Sequence, residues 1–116
     1  MSPLAACLLA AALAVAAVAI AVADPPPCTT FLPPLIPCTP YITRHGDSVP
    51  DACCSGVKAI ASITTTRANR VAACECFKAA ASHIGDIDYD RVAGLPSHCH
   101  AAAAHFNFTA TIDCNT

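Results

Sequence analysis

Eight cysteines fall in the 93 residues that follow Ala23: Cys28, Cys38, Cys53, Cys54, Cys74, Cys76, Cys99 and Cys114. No other feature restricts the fold as strongly. An even number at this density in a short chain indicates four disulfides, provided the chain passes through an oxidising compartment. The leading segment points to such a route: the apolar run Leu4–Ala23 ends in Ala21-Val22-Ala23, followed by Asp24 and Pro25-Pro26-Pro27. Small residues at Ala21 and Ala23 suit signal-peptidase cleavage, so residues 1–23 are read as a signal peptide and 24–116 as one mature domain. A retained membrane anchor is the competing reading, because about 20 apolar residues can span a bilayer. The Ala-rich run is only weakly hydrophobic, and three prolines would end a helix there, so cleavage is preferred. Cys7 leaves with the peptide.

The mature segment has no Trp, two Tyr and four Phe. A chain this small with so little large side-chain volume is marginal without staples. A bridge that closes tens of residues contributes about 3–4 kcal/mol against a typical total stability of about 5–15 kcal/mol. Zinc is the alternative use of such thiols, since His105 lies near His98-Cys99-His100. An oxidising route forms bridges before metal competes, so neither a metal nor another cofactor is expected. With every mature cysteine bridged, no Cys/His nucleophile remains, and the carboxylates form no evident catalytic pair; an enzyme is not expected. The net charge of −2 argues against a polybasic nucleic-acid binder.

Between Asp24 and Gly46, seven prolines (25, 26, 27, 33, 34, 37 and 40) allow only short, kinked helical pieces. Ser48, Pro50 and Asp51 then read as a cap, a first helical turn and the acid of a capping box. The spacing predicts a helix to about Thr64 with Cys53, Val57, Ile60, Ala61 and Thr64 on one stripe. After the break at Thr64-Thr65-Thr66, a second helix is expected over Arg67–His83, with Ala73, Phe77, Ala80, Ala81 and Ile84 on one side and Gly85 as its end. Asp86 or Asp88 is expected to cap a short helix through Val92, closed by Gly94 and Pro96. The four alanines beyond Cys99 can extend a turn, and Asn107–Ile112 reads as irregular or extended. Phe106 and Phe108 alternate about Asn107, which places both inward and leaves Asn107-Phe108-Thr109 as a glycosylation acceptor pattern. Its closeness to Cys114 disfavours occupancy.

The cysteine spacing Cys28-x9-Cys38-x14-Cys53-Cys54-x19-Cys74-x-Cys76-x22-Cys99-x14-Cys114 covers the whole mature chain. Composition alone leaves about a hundred pairings open. This framework resembles that of plant non-specific lipid transfer proteins, type 1. Pro37-Cys38-x-x-Tyr41, Gly56-Val57-Lys58 and Arg70 ahead of the CxC add to the likeness. The resemblance implies an all-α fold, a four-helix disulfide-stapled bundle with a long C-terminal tail around an internal hydrophobic tunnel. It also implies the bridges Cys28–Cys76, Cys38–Cys53, Cys54–Cys99 and Cys74–Cys114. In the type 2 relatives the CxC partners exchange around an apolar middle residue; Glu75 is polar and favours the type 1 pairing. The chain departs from the family in being slightly acidic, in Pro33 and Pro34 within the first helix, in Asn69 where Asp is usual, and in Phe106 where a lipid-contacting Tyr is usual.

By this resemblance the protein is a secreted, monomeric carrier in the extracellular space or cell wall. It would hold fatty acids or phospholipids and move them through transient contact with membrane surfaces. The residues suit that reading. Burial of an acyl chain is worth about 0.8 kcal/mol per CH₂ and needs a lining of small and β-branched side chains, which Val57, Ile60, Ala73, Phe77 and their neighbours offer. Periodicity alone equally describes a solid core. Arg70 is the expected head-group donor, because a guanidinium can serve a carboxylate or phosphate while its stem packs on apolar walls. Lys58 is a second candidate cation, and Phe106 with Phe108 places the tail at the tunnel mouth. A proteinase or α-amylase inhibitor, or a defence or storage protein on the same framework, is the alternative; it would have a filled interior and an inhibitory loop.

Overall fold

The structure is a computed structural model that describes residues 24–101 and 108–115. The proposed signal peptide, residues 1–23, lies outside the described residues, as do the expected alanine turn at 102–104, His105, Phe106 and Asn107. The fold is all-α, with no strand among the described residues: α1 (Cys28–Phe31), a 3₁₀ segment (Pro33–Cys38), α2 (Thr39–Ile42), α3 (Asp51–Ile63), α4 (Arg67–Ala81) and α5 (Tyr89–His98).

The fragmentation of the first three pieces follows from proline. Pro33, Pro34, Pro37 and Pro40 offer no N–H, so the i→i−4 ladder fails and the chain tightens into a 3₁₀ segment between two single α-turns. α2 then closes with a Schellman motif. Arg44 adopts φ 60, its N–H donates to the Tyr41 carbonyl at 3.3 Å, and the His45 N–H donates to that of Pro40 at 2.8 Å.

Three expected helix ends differ in the structure. Ser48 does not cap α3: Pro50 is the N-cap, with φ −63 and ψ 149 and no side-chain cap bond. A proline biases the residue before it toward extended backbone, which holds Val49 out of the helix and moves its start downstream. Asp51 remains in the first turn, favourable to the helix dipole. α4 ends at Ala81, short of Gly85, and the left-handed residue in the following turn is Asp86, at φ 59. α5 is capped by Asp88, whose Oδ1 accepts from the Arg91 N–H at 3.2 Å, but it runs past Gly94 and Pro96 to His98. Pro96 sits in the last turn, and a second Schellman motif closes the helix through His100 at φ 55 and the bond from the Ala101 N–H to the Pro96 carbonyl at 2.8 Å.

The α3–α4 turn is as compact as its threonines suggest. Thr64 Oγ1 donates back to the Ile60 carbonyl at 2.9 Å, and Thr66 Oγ1 caps α4 by accepting from the Asn69 N–H at 3.2 Å. Asn69 also donates its side-chain amide to the Ile63 carbonyl at 2.9 Å, a bond that a carboxylate at this position has no proton to make.

Four disulfides join the pieces: Cys28–Cys76, Cys38–Cys53, Cys54–Cys99 and Cys74–Cys114. They tie α1 to α4, the 3₁₀ segment to α3, α3 to the end of α5, and α4 to the tail. Half-cystines make up six of the twelve buried hydrophobic residues among those described, so much of the interior is crosslink and not bulk side chain. The buried residues form three separate clusters, around Val57 and Leu95, around Phe31 and Ile60, and around Phe108. α3 approaches the 3₁₀ segment closely enough at Gly56 that any Cβ there would overlap the Pro34 carbonyl.

Candidate functional site

Between these clusters the helices frame a cavity of about 250 Å³ that opens to the surface on one side, at Ile36. Its wall is assembled from one stripe of each helical element after α1. α3 supplies Val57, Ile60, Ala61 and Thr64; α4 supplies Ala73, Phe77, Ala80 and Ala81. Both sets recur at i+3 or i+4 spacing, which keeps each on one helix face. The 3₁₀ segment and its neighbours add Leu32, Leu35, Ile36 and Ile42; the α4–α5 connection adds Ile84 and Ile87; α5 adds Val92 and Leu95. Among the described residues, the polar side chains in this wall are those of Thr39 and Thr64. A sealed empty cavity of this size would cost about 6 kcal/mol at about 24 cal/mol per Å³; this one opens to solvent at Ile36, so that figure is an upper bound, still large beside a small domain's stability. The bridges, closing 15 to 48 residues, supply about 3–4 kcal/mol each and make a hollow interior sustainable.

The tail forms one wall. Phe108 is buried, meets Phe77 edge-on with ring centroids 6.3 Å apart and stacks on Tyr89 at 6.1 Å. It is held by Cys74–Cys114, by Lys78 Nζ donating to the Ile112 carbonyl at 3.1 Å, and by Arg67 donating to the Asn115 carbonyl at 2.6 Å.

A polar latch joins α2 to α5 beside the lining residues Ile42 and Val92. Arg91 donates to the carbonyls of Tyr41 at 2.9 Å and Gly46 at 2.8 Å, and its guanidinium carbon lies 4.6 Å from the Tyr41 ring centre. Asp88 accepts from Arg44 Nε at 2.8 Å, while the Asp88 N–H donates to the Ile42 carbonyl at 2.8 Å. The Arg44 hydrogen bond, with the Arg91 backbone N–H, holds the Asp88 carboxyl below the usual carboxylate range.

Of the expected lipid-site residues, Val57, Ile60, Ala73, Phe77 and Phe108 converge on the cavity. Lys58 is exposed on the outer face of α3 and is not part of the wall. Arg70 is also exposed and not part of the wall; its guanidinium donates to the Thr65 carbonyl at 3.1 Å, next to the lining residue Thr64. Phe106 and Asn107 lie outside the described residues. Sequence reasoning missed Leu32, Leu35, Ile36 and Ile42, because frequent prolines hide their helical spacing. It also missed the latch: Asp88 carried a local capping signal, but nothing local ties it to Arg44.

Residues 28–114 match the model of the protease inhibitor/seed storage/LTP family. Non-specific lipid-transfer protein 3 of Lens culinaris is 38% identical over 89 residues, which span 77% of this chain and 74% of that protein. The solved structure of barley non-specific lipid transfer protein 1 in complex with a lysophosphatidylcholine superposes with a TM-score of 0.69 at 25% identity, covering 77% of this chain and 96% of that one. That of a wheat non-specific transfer protein complexed with two phospholipid molecules gives 0.67 at 26% identity, covering 76% and 96%.

Proposed function

Because the chain belongs to the plant non-specific lipid-transfer proteins of the protease inhibitor/seed storage/LTP family, we propose that its cavity takes the acyl chain of a fatty acid or phospholipid and releases it at a second membrane or in the cell wall. The protein is a lipid-binding carrier. The observation that carries the cargo assignment is the apolar cavity of about 250 Å³, walled by every helical element except the first short turn. Each methylene moved from water into it contributes about 0.8 kcal/mol, so about eight of them contribute about 6 kcal/mol before ordering costs. Shape and burial suffice for this; no reacting group is required. The relatives solved with lysophosphatidylcholine and phospholipid support the same class of cargo.

Arg70 is assigned the head group. Its single bond to the Thr65 carbonyl leaves guanidinium donors at the α3–α4 turn, beside the cavity wall at Thr64. The tail around Phe106 is assigned the gate, with Phe108, packed on Phe77 and Tyr89, and the Cys74–Cys114 bridge as its anchors on the wall. The leading segment directs the chain into the oxidising secretory route, where the bridges form, and on to the extracellular space, where the protein works as a monomer through brief membrane contacts. Displacement of a fluorescent fatty acid from the delipidated protein tests the assignment, with native mass spectrometry to count bound lipid. One lipid bound per chain and displacement by natural lipids are expected. Failure to bind any single-chain lipid would refute the assignment.

A further inference from the structure

Resting on the carrier reading above, we infer that the protein docks on neutral lipid surfaces through an uncharged stripe along its 3₁₀ segment and α2, with Ile36 as the side chain that enters the lipid. From Pro25 to Thr43, nineteen residues contain no Lys, Arg, Asp, Glu or His. Within this stretch Ile36 is 65% exposed, the one large hydrophobic side chain so placed among the described residues. It also belongs to the cavity wall, so it stands where the cavity meets the surface. Pro33 and Pro40 are exposed with it. Three residues per 3₁₀ turn align Pro33 with Ile36, and Pro40, exposed in the first turn of α2, extends this uncharged apolar ridge. The opposite side of the same segment, through Leu32, Leu35 and Ile42, faces the cavity.

The chemistry of the ridge selects its partner. Three side chains are far fewer than the roughly 20–30 residues a side of a stable protein interface, which argues against a second copy or a protein partner. Proline brings no N–H, so moving this segment into a lipid headgroup layer leaves fewer unpaired donors than an ordinary helix would. A ridge without charge has nothing to gain from anionic headgroups and nothing to lose in salt. An acyl chain crossing water slows about fourfold for each exposed methylene, so a carrier gains most by touching the bilayer at the rim of its own cavity.

Two variants test this in the full mature protein: Ile36→Ser, and Pro40→Glu, which places a charge on the ridge at a position that is not part of the cavity wall. Transfer of a pyrene-labelled phosphatidylcholine between phosphatidylcholine vesicles is compared with solution affinity for a fluorescent fatty acid, measured without vesicles. Both variants are expected to slow transfer about tenfold, the equivalent of withdrawing most of one isoleucine side chain from lipid. Solution affinity of Pro40→Glu should stay within about threefold, that of Ile36→Ser should fall less than its transfer because Ile36 also lines the cavity, and wild-type transfer should be insensitive to salt from about 0.05 to about 0.5 M. Wild-type transfer by Pro40→Glu would overturn the inference. So would a collapse of transfer in salt, or equal losses of transfer and affinity in Ile36→Ser. Flotation with the same vesicles reads docking without cargo: wild-type protein that binds no fatty acid yet floats through Ile36 would refute the carrier reading and retain the docking face.

Discussion

Replacing Ala80 by leucine separates a hollow interior from a filled one by the sign of the stability change. Ala80 belongs to the cavity wall and is only half-buried, so its methyl faces open space. Leucine adds three carbons. If the cavity accepts them, at about 0.8 kcal/mol each, the delipidated protein gains about 2 kcal/mol. The same three carbons occupy seats for about three methylenes of cargo, so fatty-acid affinity should fall about thirtyfold. The assay is guanidinium unfolding with disulfides intact, followed by far-UV circular dichroism, where the midpoint should rise at constant m. Ala73→Leu is the control. Ala73 touches the same wall but is 0% exposed, its methyl filled round by Phe31, Ile60 and Cys76, so extra carbons there find no open space and should destabilise by about 1–3 kcal/mol. If Ala80→Leu destabilises as Ala73→Leu does, the interior is packed and the reasoning from the cavity fails.

Three further outcomes are expected. Gly56→Ala should cost about 3 kcal/mol or more, or prevent oxidative folding, because its Cβ would overlap the Pro34 carbonyl; an unfolding midpoint near wild type would contradict the close approach of α3. Asp88→Asn keeps a capping side chain but removes the charge that Arg44 meets. Since the folded carboxyl is held below its ordinary value, its stabilising effect is present above about pH 4 and disappears as pH falls through the lowered value, so wild type and variant should differ at pH 6 and converge in acid. A difference that persisted or grew below pH 3 would remove the ion pair from the account. Arg70→Ala should weaken binding of fatty acids and other charged lipids more than of neutral ones, by fluorescence displacement; equal losses would count against its head-group role.

The two long stripes of the cavity were readable in advance because α3 and α4 are regular helices whose apolar residues obey a 3.6-residue period. Val57, Ile60 and Ala61 on one, and Ala73, Phe77 and Ala80 on the other, needed no tertiary information. Periodicity did not say whether they meet or stand apart, because a packed core and a tunnel impose the same pattern. Pairing of eight cysteines is likewise a property of three-dimensional closeness, and entered only through the likeness of their spacing to a known framework. Helix ends were misread where local signals compete: Pro50 overrode the Ser48 cap, and the Schellman closure at His100 carried α5 past Gly94 and Pro96. The latch of Arg91, Tyr41, Asp88 and Arg44 joins residues 44 to 50 positions apart, beyond the reach of any local pattern. Gly56 was visible as part of a motif, but its reason, the Pro34 carbonyl against it, belongs to packing.

The central claim is that an acyl chain occupies the space between α3, α4 and α5. Isotope-filtered NMR on the labelled protein with an unlabelled lysophosphatidylcholine measures this directly. Intermolecular contacts from the chain methylenes to Val57, Ile60, Leu95 and the Phe108 ring are predicted, with the headgroup protons outside the cavity. Contacts confined to surface residues, with those four silent while the lipid is bound, would contradict it.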